Sequence, residues 1–246
     1  MKTAQRNPIC VALDTPDLKR AVALIKAVRP YVGGFKLGLE FISANGPQGV
    51  RAIVKTGLPV FADVKFHDIP NTVAGAVRVL ASLGVSLINV HAAGGAAMLR
   101  AAMQAAATVK PRPRVIGVTV LTSLEEADLA ATGIQDTPLD QVVRLAKLCR
   151  ECKLDGVVCS PHEIAAVRQA CGRNFLIVTP GVRSKSDALA DQRRVMTARE
   201  ALQAGANILV IGRPITAAAD PAAAARTIIE HLQALISKKS VPASRA

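Results

Sequence analysis

A β-strand that runs directly into a helix can be read in the segment Phe61-Ala-Asp-Val-Lys-Phe-His-Asp-Ile-Pro-Asn-Thr72. Side chains alternate between the two faces of a strand, so Asp63 and Lys65 are expected on one face and apolar side chains on the other. Asp68 follows at the turn before the helix. Burying these charges is costly unless they pair, and a core strand has no structural need for them. The pattern therefore predicts a functional site, with an ordinary ion pair at the mouth of a barrel as the structural alternative.

Similar units of strand and helix recur along the chain. Short apolar runs are predicted as strands, and the segments between them have the apolar spacing of helices. The predicted strands are Ile9–Leu13, Gly34–Leu37, Val60–Lys65, Leu87–His91, Val115–Leu121, Gly156–Cys159, Leu176–Thr179 and Ile208–Ile211. Helix starts are predicted at Thr15-Pro16, at the capping box Thr197-x-x-Glu200 and at Asp220-Pro221.

Alternating units without a Pro/Gly/Ser-rich linker predict an α/β protein, a single-domain (β/α)8 TIM barrel over residues 1–237. A doubly wound open sheet is the alternative. However, the first strand ends in Asp14-Thr15-Pro16 instead of the Gly-rich fingerprint of such sheets. Residues 238–246 are predicted to form a disordered basic tail.

The chain carries 31 Lys and Arg against 18 Asp and Glu, a formal charge of +13. This charge permits an anionic partner, and a basic RNA- or DNA-binding protein on an inactive barrel is one hypothesis. However, basic residues such as Lys19 and Lys26 are scattered over predicted helix surfaces, and no aromatic residues are interleaved to stack bases. A small phosphorylated substrate is the favoured interpretation, with no nucleic-acid partner.

The expected location is the cytoplasm, without a membrane partner. No apolar run approaches the roughly 18 residues of a membrane span, and the N-terminus enters the first strand too soon for a secretory signal. The five cysteines are an odd number, which argues against a disulfide framework. Cys149-x-x-Cys152 could be half of a zinc site, but buried thiols are the favoured interpretation.

In a (β/α)8 barrel the functional groups gather at the C-terminal ends of the strands. Polar residues occur there repeatedly in this sequence, among them Asp14, Lys36, His91 and Ser160. Each has a simple structural interpretation: Asp14 and Ser160 could cap helices, and His91 could be a satisfied core histidine. Their shared position on one predicted rim favours a site.

Two loops late in the chain are predicted to bind phosphate. Gly212-Arg213 follows the eighth strand, where glycine lets an anion approach the backbone and arginine can hold phosphate oxygens. After the seventh strand, Pro180-Gly-Val-Arg183 leads into the polar segment Ser184–Arg194, which could close over the phosphate. A strand–helix turn and a mobile surface loop are the structural alternatives.

These motifs, taken in order, resemble the orotidine 5′-phosphate decarboxylase family. The matching segments are Ala12-Leu-Asp14, Phe35-Lys-Leu-Gly38, Asp63-Val-Lys-Phe-His-Asp68-Ile-Pro-Asn-Thr72, Val120-Leu-Thr-Ser123, Thr179-Pro-Gly-Val-Arg183, Asp191-Gln-Arg-Arg194 and Ile211-Gly-Arg-Pro214. The D-x-K-x-x-D element alone marks a wider superfamily, whereas the complete set is highly specific. The resemblance implies decarboxylation of orotidine 5′-phosphate to uridine 5′-phosphate and CO2 in de novo pyrimidine biosynthesis, by a homodimer without metal or cofactor.

The resemblance also implies roles for individual residues. Lys65 is implied to protonate C6 of the pyrimidine, within a charge network completed by Lys36, Asp63 and, from the neighbouring subunit, Asp68. The implied substrate-binding residues are Asp14 and Lys36 at the ribose hydroxyls, Ile69 and Thr72 across the dimer interface, Thr122 and Ser123 at the pyrimidine edge, and Pro180, Arg183, Gln192, Gly212 and Arg213 around the phosphate.

Sugar-phosphate enzymes on the same scaffold, such as hexulose-phosphate synthase and ketogulonate-phosphate decarboxylase, are the nearest alternative. These enzymes stabilise an enediolate with Mg²⁺, and their second strand supplies a carboxylate ligand. Here that strand carries Lys36, whose charge would repel a cation, so no metal is expected.

Overall fold

Parallel strands form a closed barrel in the computed structural model, which describes residues 7–182 and 196–238. The strands are β1 (Ile9–Ala12), β2 (Gly34–Leu37), β3 (Val60–Phe66), β4 (Leu87–His91), β5 (Arg114–Val118), β6 (Gly156–Val158), β7 (Leu176–Thr179) and β8 (Ile208–Ile211). Each strand pairs with the next in the chain, and β8 pairs with β1, so the sheet closes on itself. The predicted (β/α)8 architecture is confirmed.

Helices cover the outside of the barrel. In the part of the chain that the structure describes they are α1 (Leu18–Val28), α2 (Leu39–Val54), α3 (Pro70–Ser82), α4 (Gly95–Ala107), α5 (Glu126–Ala131), α6 (Pro138–Glu151), α7 (Ile164–Cys171), α8 (Ala198–Ala204), α9 (Arg213–Thr216) and α10 (Pro221–Lys238). None of these helices is long and apolar enough to cross a membrane. Apart from Lys238, which ends α10, the predicted tail lies outside the described residues.

The predicted strand bounds agree with the structure at β2, β4, β7 and β8, and they differ by one residue at β1, β3 and β6. The main difference is β5, which was predicted over Val115–Leu121 and ends at Val118. Leu121 and Leu124 lie beyond this end and are exposed. Apolar residues at the barrel mouth were therefore predicted as strand, because hydrophobicity alone does not distinguish a buried strand from an apolar loop.

The predicted start of the first helix is wrong by two residues. The N-cap is Asp17, whose carboxylate accepts hydrogen bonds from the backbone N–H groups of Lys19 and Arg20. Thr15 instead accepts a bond from the N–H of Asp17, in the turn before the helix. The other two starts are confirmed: Thr197 and Glu200 form the capping box of α8, and α10 begins directly after Asp220.

The core has two layers, separated by the sheet. Inside the barrel lies a small apolar cluster, formed by Cys10, Ala12, Phe61, Leu87, Ile116, Leu176, Val178 and Val210. A larger cluster fills the space between the sheet and the helices, and it includes Ala62 with the partly buried Val64 and Phe66. The predicted division of β3 into two faces is therefore present, and the inward face changes from Phe61 to Asp63 toward the C-terminal end. A packed floor thus supports the charged groups above it.

The cysteines contribute to this packing, and all five are buried as free thiols. A Cβ on Gly117 of β5 would lie 2.2 Å from the Cys149 sulfur, so only glycine lets α6 approach the sheet this closely. Burial raises the pKa of the Cys149 thiol, with smaller contributions from Cys152 and Cys171. Inert packing, as favoured from the sequence, fits these contacts.

Arg168 of α7 connects several segments at the N-terminal end of the barrel. Its guanidinium donates to the carbonyl oxygens of Gly172, Phe175 and Gly205 and to the side chain of Asn207. These acceptors come from the segments that lead into β7 and β8. One planar group therefore satisfies backbone carbonyls of two connections.

Candidate active site

Charged side chains of alternating sign meet at the C-terminal ends of β1, β2 and β3. Lys36 Nζ lies 3.0 Å from Asp14 Oδ1 and 3.2 Å from Asp63 Oδ2. Lys65 Nζ lies 2.6 Å from Asp63 Oδ1. The structure thus brings together four of the predicted site residues from three neighbouring strands. Asp63 occupies the centre, with one carboxylate oxygen directed to each lysine.

The centre of this cluster is buried, and its outer members reach solvent. The side chains of Lys36 and Asp63 are only 11% and 13% exposed, whereas the side chain of Asp14 is 56% exposed. Burial opposes ionisation of Asp63, but Lys36, Lys65 and the amide of Asn89 outweigh this effect and lower its pKa. Burial also opposes the charge of Lys36, yet Asp63 and Asp14 raise its pKa. Both central groups are therefore held in their charged forms.

Gly38, immediately after β2, makes room for the outer ion pair. A Cβ at this position would lie 2.9 Å from Asp14 Oδ1 and 3.1 Å from Lys36 Nζ. Both distances are shorter than ordinary contacts, so a side chain here would displace the two charged groups. The sequence motif included Gly38 but indicated no role for it.

Asn89 of β4 is a member of the cluster that sequence reasoning missed. Its amide donates to Asp63 Oδ1 at 2.6 Å, and its side-chain oxygen accepts from the backbone N–H of Lys65 at 2.7 Å. A usable signal was present, since Leu87, Asn89 and His91 alternate on one face of a predicted strand. An amide at such an inward position requires partners, and charged residues on the adjacent strand are the obvious ones.

His91 lies at the end of β4, half-buried beside the charged cluster. Its ring faces that of His67, with the ring centroids 5.3 Å apart. Burial lowers the pKa of His91, and the nearby His67 and Lys65 lower it further. His91 therefore lies at the edge of the site, between the core and the charged cluster.

The structure does not bring Asp68 to the other charged groups of the same chain. Asp68, Ile69 and Thr72 are exposed where β3 leads into α3, and the carboxylate of Asp68 accepts from the N–H of Ile69 at 2.6 Å. Ile69 is 67% exposed, an unusual environment for a large apolar side chain. Their predicted roles across a dimer interface stay predictions.

The remaining predicted residues that the structure describes follow the C-terminal ends of β5, β7 and β8, on the same rim. Thr122 and Ser123 are exposed after β5, and Pro180 follows β7. Gly212 follows β8, and its carbonyl oxygen accepts from the N–H groups of Ile215 and Thr216 in the first turn of α9. Arg213 begins α9 and is exposed. Arg183 and Gln192 lie outside the described residues.

This fold and site define a class: a (β/α)8 barrel enzyme with a buried, alternating charge cluster at the C-terminal ends of its first strands. Residues 7–228 match the family described as "Orotidine 5'-phosphate decarboxylase / HUMPS family". The chain belongs to that family.

Individual relatives support the assignment. The chain is 56% identical over 234 residues to a protein of Moorella thermoacetica named orotidine 5′-phosphate decarboxylase, with 93% of each chain covered. It is 50% identical to a protein of the same name from Paramagnetospirillum magneticum, covering 92% of this chain and 98% of the relative. The crystal structure of orotidine 5′-phosphate decarboxylase from Lactobacillus acidophilus is similar with a TM-score of 0.81 and 33% identity, covering 91% of this chain and 98% of that one.

Proposed function

We propose that this protein decarboxylates orotidine 5′-phosphate to uridine 5′-phosphate and CO2, a step of de novo pyrimidine biosynthesis. The observation that carries the proposal is the buried Lys36–Asp63–Lys65 network at the barrel mouth. It occurs in a chain that belongs to the orotidine 5′-phosphate decarboxylase / HUMPS family over most of its length.

Lys65 is proposed to stabilise and then protonate the carbon that loses CO2. When the bond from C6 to the carboxylate breaks, the electron pair stays in the ring plane, where the pyrimidine cannot delocalise it. A fixed ammonium beside C6 lowers the energy of this anion and transfers a proton to it. The 2.6 Å contact with Asp63 restricts the ammonium to one position before substrate binds. A proton from water then restores the lysine.

Asp14 and Lys36 are proposed to hold the ribose hydroxyls. Lys36 is anchored between two carboxylates, whereas Asp14 is partly open to solvent and accessible to a ligand. Acceptor and donor lie 3.0 Å apart, a spacing suited to the vicinal hydroxyls of a ribose. The pair would thus orient the nucleotide relative to Lys65.

The rest of the rim is proposed to bind the two ends of the substrate. Thr122 and Ser123 can hydrogen-bond the pyrimidine edge. Gly212 and Arg213, with Pro180, Arg183 and Gln192, are proposed for the phosphate, where arginine gives two parallel hydrogen bonds. Binding energy from the phosphate can be used to orient the reacting ring, although the phosphate itself does not react.

Asp68, Ile69 and Thr72 are proposed to complete the site of a second subunit in a homodimer. Supporting this, Ile69 at the N-cap of α3 is 67% exposed, and an exposed side chain of this size and apolarity is suited to burial against a partner. The exposed Asp68 beside it can extend into a partner's site, where it would add the second carboxylate next to Lys65.

The proposed mechanism uses no metal ion. A Mg²⁺-dependent sugar-phosphate reaction would require a carboxylate ligand on β2. Here β2 carries Lys36 instead, and its ammonium lies between Asp14 and Asp63, at 3.0 and 3.2 Å. These carboxylates are therefore already neutralised by a cation of the protein itself.

The test is to add orotidine 5′-phosphate to chelator-treated protein and to follow its ultraviolet absorbance. We expect full turnover with the chelator, and loss of turnover in Lys65→Ala. Lys147→Ala, which removes an exposed lysine of α6 remote from the cluster, is the matched control and should retain activity. No turnover by the wild type, together with nucleic-acid binding that weakens steeply with salt, would favour the binding-protein hypothesis.

A further inference from the structure

Asn89 is among the most deeply buried polar residues in the described part of the chain, with 0% exposure. Burying an amide is unfavourable unless its donor and its acceptor are both used. Here the donor is used by Asp63 and the acceptor by the backbone of Lys65, both at less than 3 Å. The two partners belong to the adjacent strand β3 and to the ion pair at the centre of the site.

The backbone of Lys65 adopts a conformation that requires such support. Its φ angle is 51°, in the left-handed region that costs a residue with a Cβ roughly 1–2 kcal/mol. The pairing of β3 with β4 also shifts register between Ala62 and Phe66, so the strand bulges at this point. In the bulge, the side-chain oxygen of Asn89 replaces a backbone acceptor for the Lys65 N–H. Strained backbone of this kind persists where neighbouring groups hold it.

Asn89 also determines how Asp63 faces its two lysines. Asp63 Oδ1 accepts from both Asn89 and Lys65, and Oδ2 faces Lys36. The amide thus fixes the rotation of the carboxylate without adding a charge. Aspartate has no N–H donor when ionised, and leucine has neither donor nor acceptor. At neutral pH the amide serves both partners at once, as donor to Asp63 and as acceptor from the Lys65 N–H.

We infer that Asn89 is a positioning residue, which places the Lys65 ammonium through its backbone and through Asp63. It acts from below the site and does not touch the substrate. The inference rests on the proposed role of Lys65 as the proton donor. If it is correct, loss of Asn89 reduces the rate of the chemical step while the nucleotide still binds.

The test compares Asn89→Leu with Asn207→Leu in full-length protein. Asn207 is a suitable control because its side-chain oxygen also accepts from a strand N–H, that of Ile177 at 2.8 Å, but at the opposite end of the barrel. We expect Asn89→Leu to lower kcat by about 100-fold, the effect of a small misplacement of a reacting group, with KM changed by less than about threefold. Asn207→Leu should lower thermal stability and leave kcat unchanged.

The Asn89→Asp variant provides a second measurement, the pH dependence of kcat, which a purely structural role of Asn89 would leave unchanged. The new carboxylate keeps the acceptor for the Lys65 N–H but repels Asp63, so kcat should fall at neutral pH. Two adjacent carboxylates raise the pKa of one of them, and the protonated group can donate as the amide did. The kcat of this variant should therefore recover as the pH falls from 8 toward 5, whereas that of the wild type should not rise.

The possible outcomes distinguish the positioning role of Asn89 from the proposed decarboxylase function. Inactive wild type would contradict the proposed function itself. Active wild type with kcat of Asn89→Leu within about threefold of normal would overturn the positioning role. If Asn89→Leu does not fold, the Asn89→Asp variant tests the inference instead. A loss of its activity that does not depend on pH would also contradict the positioning role of Asn89.

Discussion

Replacing Gly38 with alanine should weaken substrate binding while leaving the fold intact. The added Cβ would lie 2.9 Å from Asp14 Oδ1 and 3.1 Å from Lys36 Nζ. To restore ordinary contact, the carboxylate must retreat by about 0.5 Å and the ammonium by about 0.3 Å. Both atoms are the ends of flexible side chains. The proposed ribose contacts should therefore be displaced without strain in the backbone.

The expected magnitude follows from these displacements. Gly38 has φ −84° and ψ −179°, which alanine also adopts, so the unfolding free energy should change by less than about 1 kcal/mol. A hydrogen bond to a charged group contributes about 1.5–3 kcal/mol, and partial loss of one such bond costs about 1.4 kcal/mol. We therefore expect KM to rise about tenfold, with a smaller change in kcat.

The assay is steady-state decarboxylation, combined with thermal unfolding of the same samples. A substrate analogue without the ribose 2′-hydroxyl provides a further comparison. If the displaced pair binds the ribose, the losses caused by the variant and by the analogue should be less than additive. Unchanged KM in Gly38→Ala, at normal stability, would refute the role of this pair in ribose binding.

Four further predictions concern other parts of the molecule. Arg213→Ala should raise KM and lower kcat together, and unchanged kinetics would remove Arg213 from the phosphate site. Mixing inactive Asp68→Ala with inactive Lys65→Ala chains should restore activity, because a hybrid dimer assembles one intact site; no recovery despite subunit exchange would contradict a shared site. Arg168→Leu should lower the unfolding free energy by about 2–4 kcal/mol, measured by denaturant titration, with kcat retained. The pKa of Asp63 is lowered in the fold, so its ionised carboxylate stabilises the native state at pH values above its ordinary pKa of 3.8. This stabilisation is lost as the pH falls through the lowered pKa of the folded state. Asp63→Asn should therefore show a weaker loss of stability between pH 5 and pH 2 than the wild type.

Much of the fold was predictable because it depends on local patterns. Apolar runs flanked by turn residues gave strands within one residue at all positions except β5. Capping signals worked where the side chain and its N–H partners are close in sequence, as for Thr197 and Glu200. At α1 two cap-forming residues, Thr15 and Asp17, compete, and the pattern does not decide between them.

The site was predictable in composition but not in arrangement. The spacing of Asp63 and Lys65 on one strand indicated a charged pair, and the strand-end positions of Asp14 and Lys36 predicted them on the same rim. Which atoms pair was not predicted, because it depends on how the three strands align. The exposed position of Asp68 depends on how the chain leaves β3 for α3, which its spacing from Lys65 does not reveal.

Short-range periodicity was sufficient to predict the eight strands, their order in the barrel and the rim on which the charges gather. This is because side-chain alternation and helix capping act between residues near each other in the chain. The contacts of Asn89 and the left-handed backbone of Lys65 depend instead on the register between β3 and β4, which are joined by a whole helix. That register, and the space that Gly38 leaves for the outer ion pair, exist only once distant segments pack into a closed barrel.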